Sequence, residues 1–289
     1  SLGDADYYKF DVPVESVINI QVDDLAPNLE VDMILYDSED EFNGELNDWS
    51  SSNAGTFNVY WKVCSPGTYY LKLFDNGNND RSSQLYNMLV TIDSTDMCEF
   101  NGCNDVITDA CSIETNQPIQ AAINSFGDAD YYQFEVPVES IINISVQNID
   151  DDISMTTVLY DEPNEFSDLV TWTSNNSGNN VNRFWKVCSP GIYYLKLSDA
   201  GDNDRSSQLY NLMISIDSSD MYECNDTELT AYELQVCSDT IYAAINLEGD
   251  EDYFSFTAPA NININVEITN VPSNIDMEIE IITPSGNTI

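Results

Sequence analysis

The sequence contains no histidine and only eight lysines and arginines, against 51 aspartates and glutamates. Without histidine, Ser-His-Asp and Cys-His nucleophilic arrangements and the usual zinc-hydrolase motifs are excluded. The scarcity of positive charge leaves a formal −43 at pH 7, which rules out a basic nucleic-acid face and would repel anionic lipid. No apolar run approaches the roughly 18–20 residues needed to cross a bilayer, and no signal-peptide pattern opens the chain. No glycine-rich loop of the phosphate-cradling kind is present, and no segment sustains an apolar stripe at helical spacing. Paired carboxylates could in principle hydrolyse glycosides, but among 51 acidic residues such pairs are inevitable and point to nothing. The chain is therefore expected to be non-catalytic.

What is present is enough to fold. At 289 residues with 42% hydrophobic and 11% aromatic side chains, the chain is no disordered acidic tail and has room for two or three domains. Its dominant feature is an internal repeat. Ser1 to Ser16 reads SLGDADYYKFDVPVES and Ser125 to Ser140 reads SFGDADYYQFEVPVES, identical at 13 of 16 positions with an offset of 124. Trp61 to Leu73 returns as Trp185 to Leu197, and Asp80 to Asn87 returns unchanged as Asp204 to Asn211. A third, more diverged copy starts at Gly249-Asp250-Glu251-Asp252-Tyr253-Phe254. The expected organisation is residues 1–93 lacking a beginning, a complete copy over 98–217, and the first part of a third copy over 222–289.

Each copy has the periodicity of strands. Ile18, Ile20 and Val22 alternate with Asn19 and Gln21, and Asn261 to Ile268 alternates polar and apolar without exception. Further strands are expected at Met33–Tyr36, Thr56–Cys64, Tyr69–Phe74 and Leu85–Ile92, rich in aromatic and β-branched residues. Turn chemistry separates them at Ser65-Pro66-Gly67, Asn76-Gly77 and Ser189-Pro190-Gly191. The fold class is all-β, a tandem array of β-sandwich or jelly-roll domains.

The Gly-Asp-x-Asp-Tyr-[Tyr/Phe]-x-Phe motif, the Pro-Gly-x-Tyr-Tyr-Leu turn and strand, and the upstream Tyr222-Glu223-Cys224-Asn225-Asp226-Thr227 resemble the bacterial pre-peptidase C-terminal (PPC) domain. Its relative, the collagen-binding domain of clostridial collagenases, is similar too. The resemblance covers essentially the whole chain and implies β-sandwich accessory modules of secreted proteins, with calcium where the N-terminal linker meets the first strands. Carried over, it implies a calcium site of Glu223, Asn225, Asp226, Asp250 and Asp252 in the third copy. In the second copy the matching residues are Glu99, Asn101 or Asn104, Asp105, Asp128 and Asp130, with Gly102-Cys103 interrupting the pattern. The first copy retains Asp4 and Asp6.

The residues alone point the same way. Calcium takes about six to eight oxygen ligands, and a linker bearing Glu, Asn and Asp beside a strand bearing two Asp can supply them. A bound cation would also make clustered carboxylates stabilising rather than repulsive. The acidic loops Asp75–Asp80 and Asp199–Asp204 lack the spacing of an EF-hand and read as solvated hairpin turns, with Arg81 and Arg205 pairing locally; metal binding is the alternative.

The seven cysteines show no zinc spacing and indicate disulfides in an oxidising compartment. A bridge from Cys111 to Cys188 and local bridges from Cys98 to Cys111 and Cys224 to Cys237 fit the spacing equally. Two functions suit such an array. The first is a calcium-dependent structural or adhesive fibre or stalk at the bacterial cell surface, whose partners are neighbouring repeats or copies of itself. The second is an extracellular substrate-targeting region of a secreted hydrolase that binds protein or polysaccharide, with Trp49, Tyr60, Trp172 and Phe184 as aromatic contacts if they are not core.

Overall fold

The computed structural model of the chain describes residues 4–14, 16–51, 55–93, 98, 103–174, 177–236, 240–283, 285–286 and 288. The first copy forms seven strands: β1 (Ala5–Val12), β2 (Ser16–Asp23), β3 (Val31–Tyr36), β4 (Glu45–Ser50), β5 (Phe57–Val63), β6 (Gly67–Asp75) and β7 (Asn87–Asp93). They make two antiparallel sheets, ordered β1-β6-β3-β4 and β5-β2-β7. Alternation decides the facing: Ile18, Ile20 and Val22 of β2 are fully buried against Met33, Leu35 and Leu71, while Asn19 and Gln21 turn outward.

The second copy repeats this plan and includes upstream residues whose counterparts in the first copy would precede Ser1. Its strands are β8 (Cys111–Ser112), β9 (Ile119–Ala121), β10 (Ala129–Val136), β11 (Ser140–Gln147), β12 (Met155–Tyr160), β13 (Asp168–Thr173), β14 (Val181–Val187), β15 (Gly191–Asp199) and β16 (Tyr210–Asp217). The sheets run β13-β12-β15-β10-β8 and β14-β11-β16-β9. The two short upstream strands are the difference: β8 lies parallel beside β10, and β9 antiparallel beside β16. The two copies also share local devices. A register shift falls at Leu35/Tyr36 and again at Leu159/Tyr160. Each Ser-Pro-Gly turn is closed by the tyrosine that follows it: Tyr69 donates to the Ser65 carbonyl at 2.7 Å and Tyr193 to the Ser189 carbonyl at 2.8 Å.

Two expectations fail in the third copy and in the loops. Asn261 to Ile268 is not a strand, and Ile262, Ile264, Val266 and Ile268 stay 44–48% exposed. Alternation fits a half-buried strand only if neighbours take up its backbone hydrogen bonds. Its counterpart β11 has β14 and β16 on either side, whereas the described part of the third copy pairs only β17 (Tyr232–Glu233) with β18 (Phe254–Ser255) and bridges Ile282 to Thr288. Arg205 does not pair with a nearby aspartate; its guanidinium stacks 3.1 Å from the Tyr60 ring centroid of the preceding copy. The acidic loops are held by their own backbone instead, as Asp75 accepts from the amides of Asn79 and Asp80, and Asp199 from those of Asn203 and Asp204.

Candidate functional site

The residues singled out by their recurrence meet where one copy joins the next. The glycine of Gly-Asp-x-Asp turns the chain: Gly127 and Gly249 have φ of 73° and 82°, a left-handed conformation that costs glycine little. The aspartate after it caps that turn. Asp128 accepts the Asn124 amide at 2.7 Å and Asp250 accepts the Asn246 amide at 3.2 Å, each through one carboxylate oxygen. The other oxygen of each aspartate accepts from a lysine ammonium of the preceding copy.

The linker docks by a two-point clamp that also recurs. Tyr131 donates its amide to the Asn104 carbonyl at 2.8 Å, and Asn104 returns its side-chain amide to the Tyr131 carbonyl at 3.3 Å. Asn225 makes the same pair with Tyr253, at 2.9 and 3.1 Å. Asn104 is thus the structural counterpart of Asn225; Asn101 and Glu99 lie outside the described residues. The clamp brings Asp105 and Asp226 alongside Asp128 and Asp250.

Between these paired carboxylates sits a lysine from the preceding copy. Lys62 of β5 reaches Asp105 at 2.8 Å and Asp128 at 2.6 Å. Lys186 of β14 reaches Asp226 at 2.5 Å and Asp250 at 2.6 Å. Two residues along each lysine strand, a disulfide crosses the same junction: Cys64 to Cys103 and Cys188 to Cys224. The third disulfide, Cys98 to Cys111, is the local pairing expected for the second copy. Cys111–Cys188 and Cys224–Cys237 do not form, because Cys188 and Cys224 are already joined across the second junction; Cys237 lies outside the described residues. Bridges between copies were legible in principle, since Cys64 matches Cys188 and Cys103 matches Cys224.

Burial sets the electrostatics. Desolvation pushes Asp128 up to about 6, against the opposing pull of Lys62. Desolvation likewise raises Glu223 to about 7 and Asp252 to about 6. For Lys186, burial is the largest single influence and lowers its pKa, but its hydrogen bonds and charge pairing with Asp226 and Asp250 together leave it raised.

The donor set also suits a hard cation. Buried side-chain oxygens without a hydrogen-bond partner are Asn104 Oδ1 and Asn124 Oδ1 at the first junction, and Glu223 Oε2, Asn225 Oδ1 and Asn246 Oδ1 at the second. All are acceptors, as oxygen ligands for calcium must be. Asn124 and Asn246 were missed by sequence reasoning, as was buried Asp220, which accepts the Tyr222 amide at 2.7 Å. The acidic residues would hold the cation only together with these amides. Among the described residues, the Cys, Asp and Glu ligand atoms that converge within 4.8 Å are those of Cys64, Cys103 and Asp105, where both sulfurs are tied in a disulfide.

Asp130 and Asp6 have a further partner. Asp130 accepts from Tyr210, whose hydroxyl lies 2.6 Å from that of Tyr132; Asp6 accepts from Tyr86 at 2.6 Å, and Tyr86 contacts Tyr8. Asp4 is exposed. The tryptophans prove to be packing residues, in edge-on pairs Trp49–Trp61 and Trp172–Trp185 against the two cores. Tyr60 lies under Arg205, and Phe184 is exposed.

Fold and site together define an array of acidic β-sandwiches joined by a covalent and ionic staple. No family model matches the chain. It is similar to collagenase ColA of Clostridium perfringens (strain 13 / Type A), at 26% identity over 224 residues, which is 73% of this chain and 19% of the collagenase. The pre-peptidase C-terminal domain of the Bacillus anthracis collagenase matches at 28% identity over 37% of this chain and 94% of its own, with a TM-score of 0.31. The periplasmic lysozyme inhibitor PliG of Aeromonas hydrophila matches at 8% identity, over 37% of this chain and 97% of its own, with a TM-score of 0.29. The similarity to a clostridial collagenase agrees with the resemblance that the sequence motifs carry. Among the described residues no helix is long and apolar enough to cross a membrane.

Proposed function

We propose that the chain is a non-catalytic, extracellular substrate-targeting region of a secreted hydrolase, and that it binds a structural protein such as collagen. The observation that carries this reading is the similarity to collagenase ColA over 73% of the chain. The fibre or stalk reading, with copies of the chain as partners, takes second place, because the repeat alone supports it and the relative is a hydrolase. Calcium dependence is part of the proposal. It is supported by the orphaned oxygens of Asn104, Asn124, Glu223, Asn225 and Asn246 beside Asp105, Asp128, Asp130, Asp226, Asp250 and Asp252. When bound, the cation would supply charge neutralisation and hold linker to strand.

Co-sedimentation of the 289-residue chain with insoluble fibrillar collagen, and in parallel with an insoluble polysaccharide, tests the targeting role. Retention by collagen in calcium is the expected result. Retention by the polysaccharide alone would change the substrate class, and retention by neither, with self-assembly into filaments, would return the fibre reading to first place.

A further inference from the structure

The chain carries eight lysines and arginines, and two of them, Lys62 and Lys186, are spent at equivalent places in the two junctions. Each is drawn from one copy into the acidic cradle of the next. Lys62 keeps only 9% of its side-chain exposure, and its partner Asp128 keeps none. Burying a carboxylate without a counter-charge is costly, so the ammonium is what makes this cradle tolerable in the absence of any other cation. The disulfide two residues further on holds the lysine strand at that place.

We infer that Lys62 and Lys186 are the resident cations of the following copy's cradle, and that a divalent cation and the lysine compete for the pairs Asp105–Asp128 and Asp226–Asp250. A divalent ion needs the same oxygens that now face Nζ, and two positive centres do not share one small site. The junction is therefore stapled ionically when divalent cation is scarce. When it is abundant, the lysine is released, while the disulfide keeps the copies tethered. The competition half of this inference rests on the proposed calcium binding; the residency half does not.

Both halves are tested on the 289-residue chain with its disulfides intact, comparing wild type with Lys62→Gln and Lys62→Arg. In chelator, hydrogen exchange is followed at the Asn124 amide, with the Asn246 amide at the untouched second junction as the internal reference. Lys62→Gln is expected to speed exchange at Asn124 by about tenfold or more, leaving Asn246 unchanged, and Lys62→Arg to restore most of the protection. Equal exchange in all three proteins would overturn residency. Calorimetric titration with calcium is expected to show the Lys62→Gln site binding about tenfold more tightly than wild type. Equal or weaker binding by the variant would overturn competition. If neither protein binds calcium, the calcium reading and the competition fall together, and residency is judged by the exchange result.

Discussion

The first and second copies begin with nearly the same sixteen residues and bury them very differently. Tyr7 is 54% exposed, whereas its counterpart Tyr131 is 1% exposed. The strand is the same and pairs in the same register with β6 or β15. What differs is the linker, which the 289-residue sequence contains for the second copy and not for the first: in the second copy Asn104 clamps Tyr131, Ile107 packs against it, and β8 extends the sheet beside it. A copy's upstream linker is thus part of its fold, and the junction is built from the same residues that finish the domain.

The largest expected effect breaks this comparison directly. Tyr131→Ala should cost about 3–5 kcal/mol, the range for truncating a buried aromatic, while Tyr7→Ala should cost no more than about 1 kcal/mol. Denaturant unfolding of both variants checks this, and equal losses would mean that the linker does not seal the second copy. Next, replacing Cys98 and Cys111 together by serine should destabilise the second copy by about 3 kcal/mol, the value for a closed loop of roughly fifteen residues, without moving the first. The check is residue-resolved hydrogen exchange, in which β10 and β11 should lose protection while β1 and β2 keep theirs.

A smaller effect sharpens the contrast through pH. Asp128, Asp252 and Glu223 are raised to about 6, 6 and 7 by burial, so the folded state holds their protons more tightly than the unfolded chain does. Their contribution is present below the unfolded carboxylate range of about 4 and is lost as pH rises through 6–7. Asp150 and Asp217, lowered by hydrogen bonds from Ser206 and Ser219, act oppositely and lose their contribution in more acidic solution. In chelator at constant low salt, melting temperature should therefore be higher at pH 5 than at pH 7.5; a flat or rising profile would contradict the burial of these groups. The smallest effect is that of Arg205→Ala, which removes the cation–π contact with Tyr60. It should cost about 0.5–1 kcal/mol and be read as faster hydrogen exchange around Tyr60.

Much of this architecture could be read from residue order. Alternation located β2, because a strand with one buried face must alternate, and aromatic and β-branched richness located β3, β5, β6 and β7 to within a few residues. It misled at Asn261–Ile268, since alternation describes a face and not the neighbours that hydrogen-bond the backbone. At the junction, the acidic residues were found from their recurrence. The lysines and the inter-copy disulfides were not, although Lys62 and Cys64 recur as faithfully as Asp128, because their partners belong to the next copy. Asn124 and Asn246 were lost among many asparagines, and only their burial beside the cradle distinguishes them.

The proposal that the junction oxygens form a calcium site is tested most directly by thermal unfolding of the 289-residue chain at pH 7.5 and low salt, with calcium or with chelator. A ligand bound by the folded state alone must stabilise it. A higher melting temperature is expected in calcium, abolished when Asn104 and Asn225 are both replaced by alanine. The same melting temperature with calcium and with chelator would contradict it.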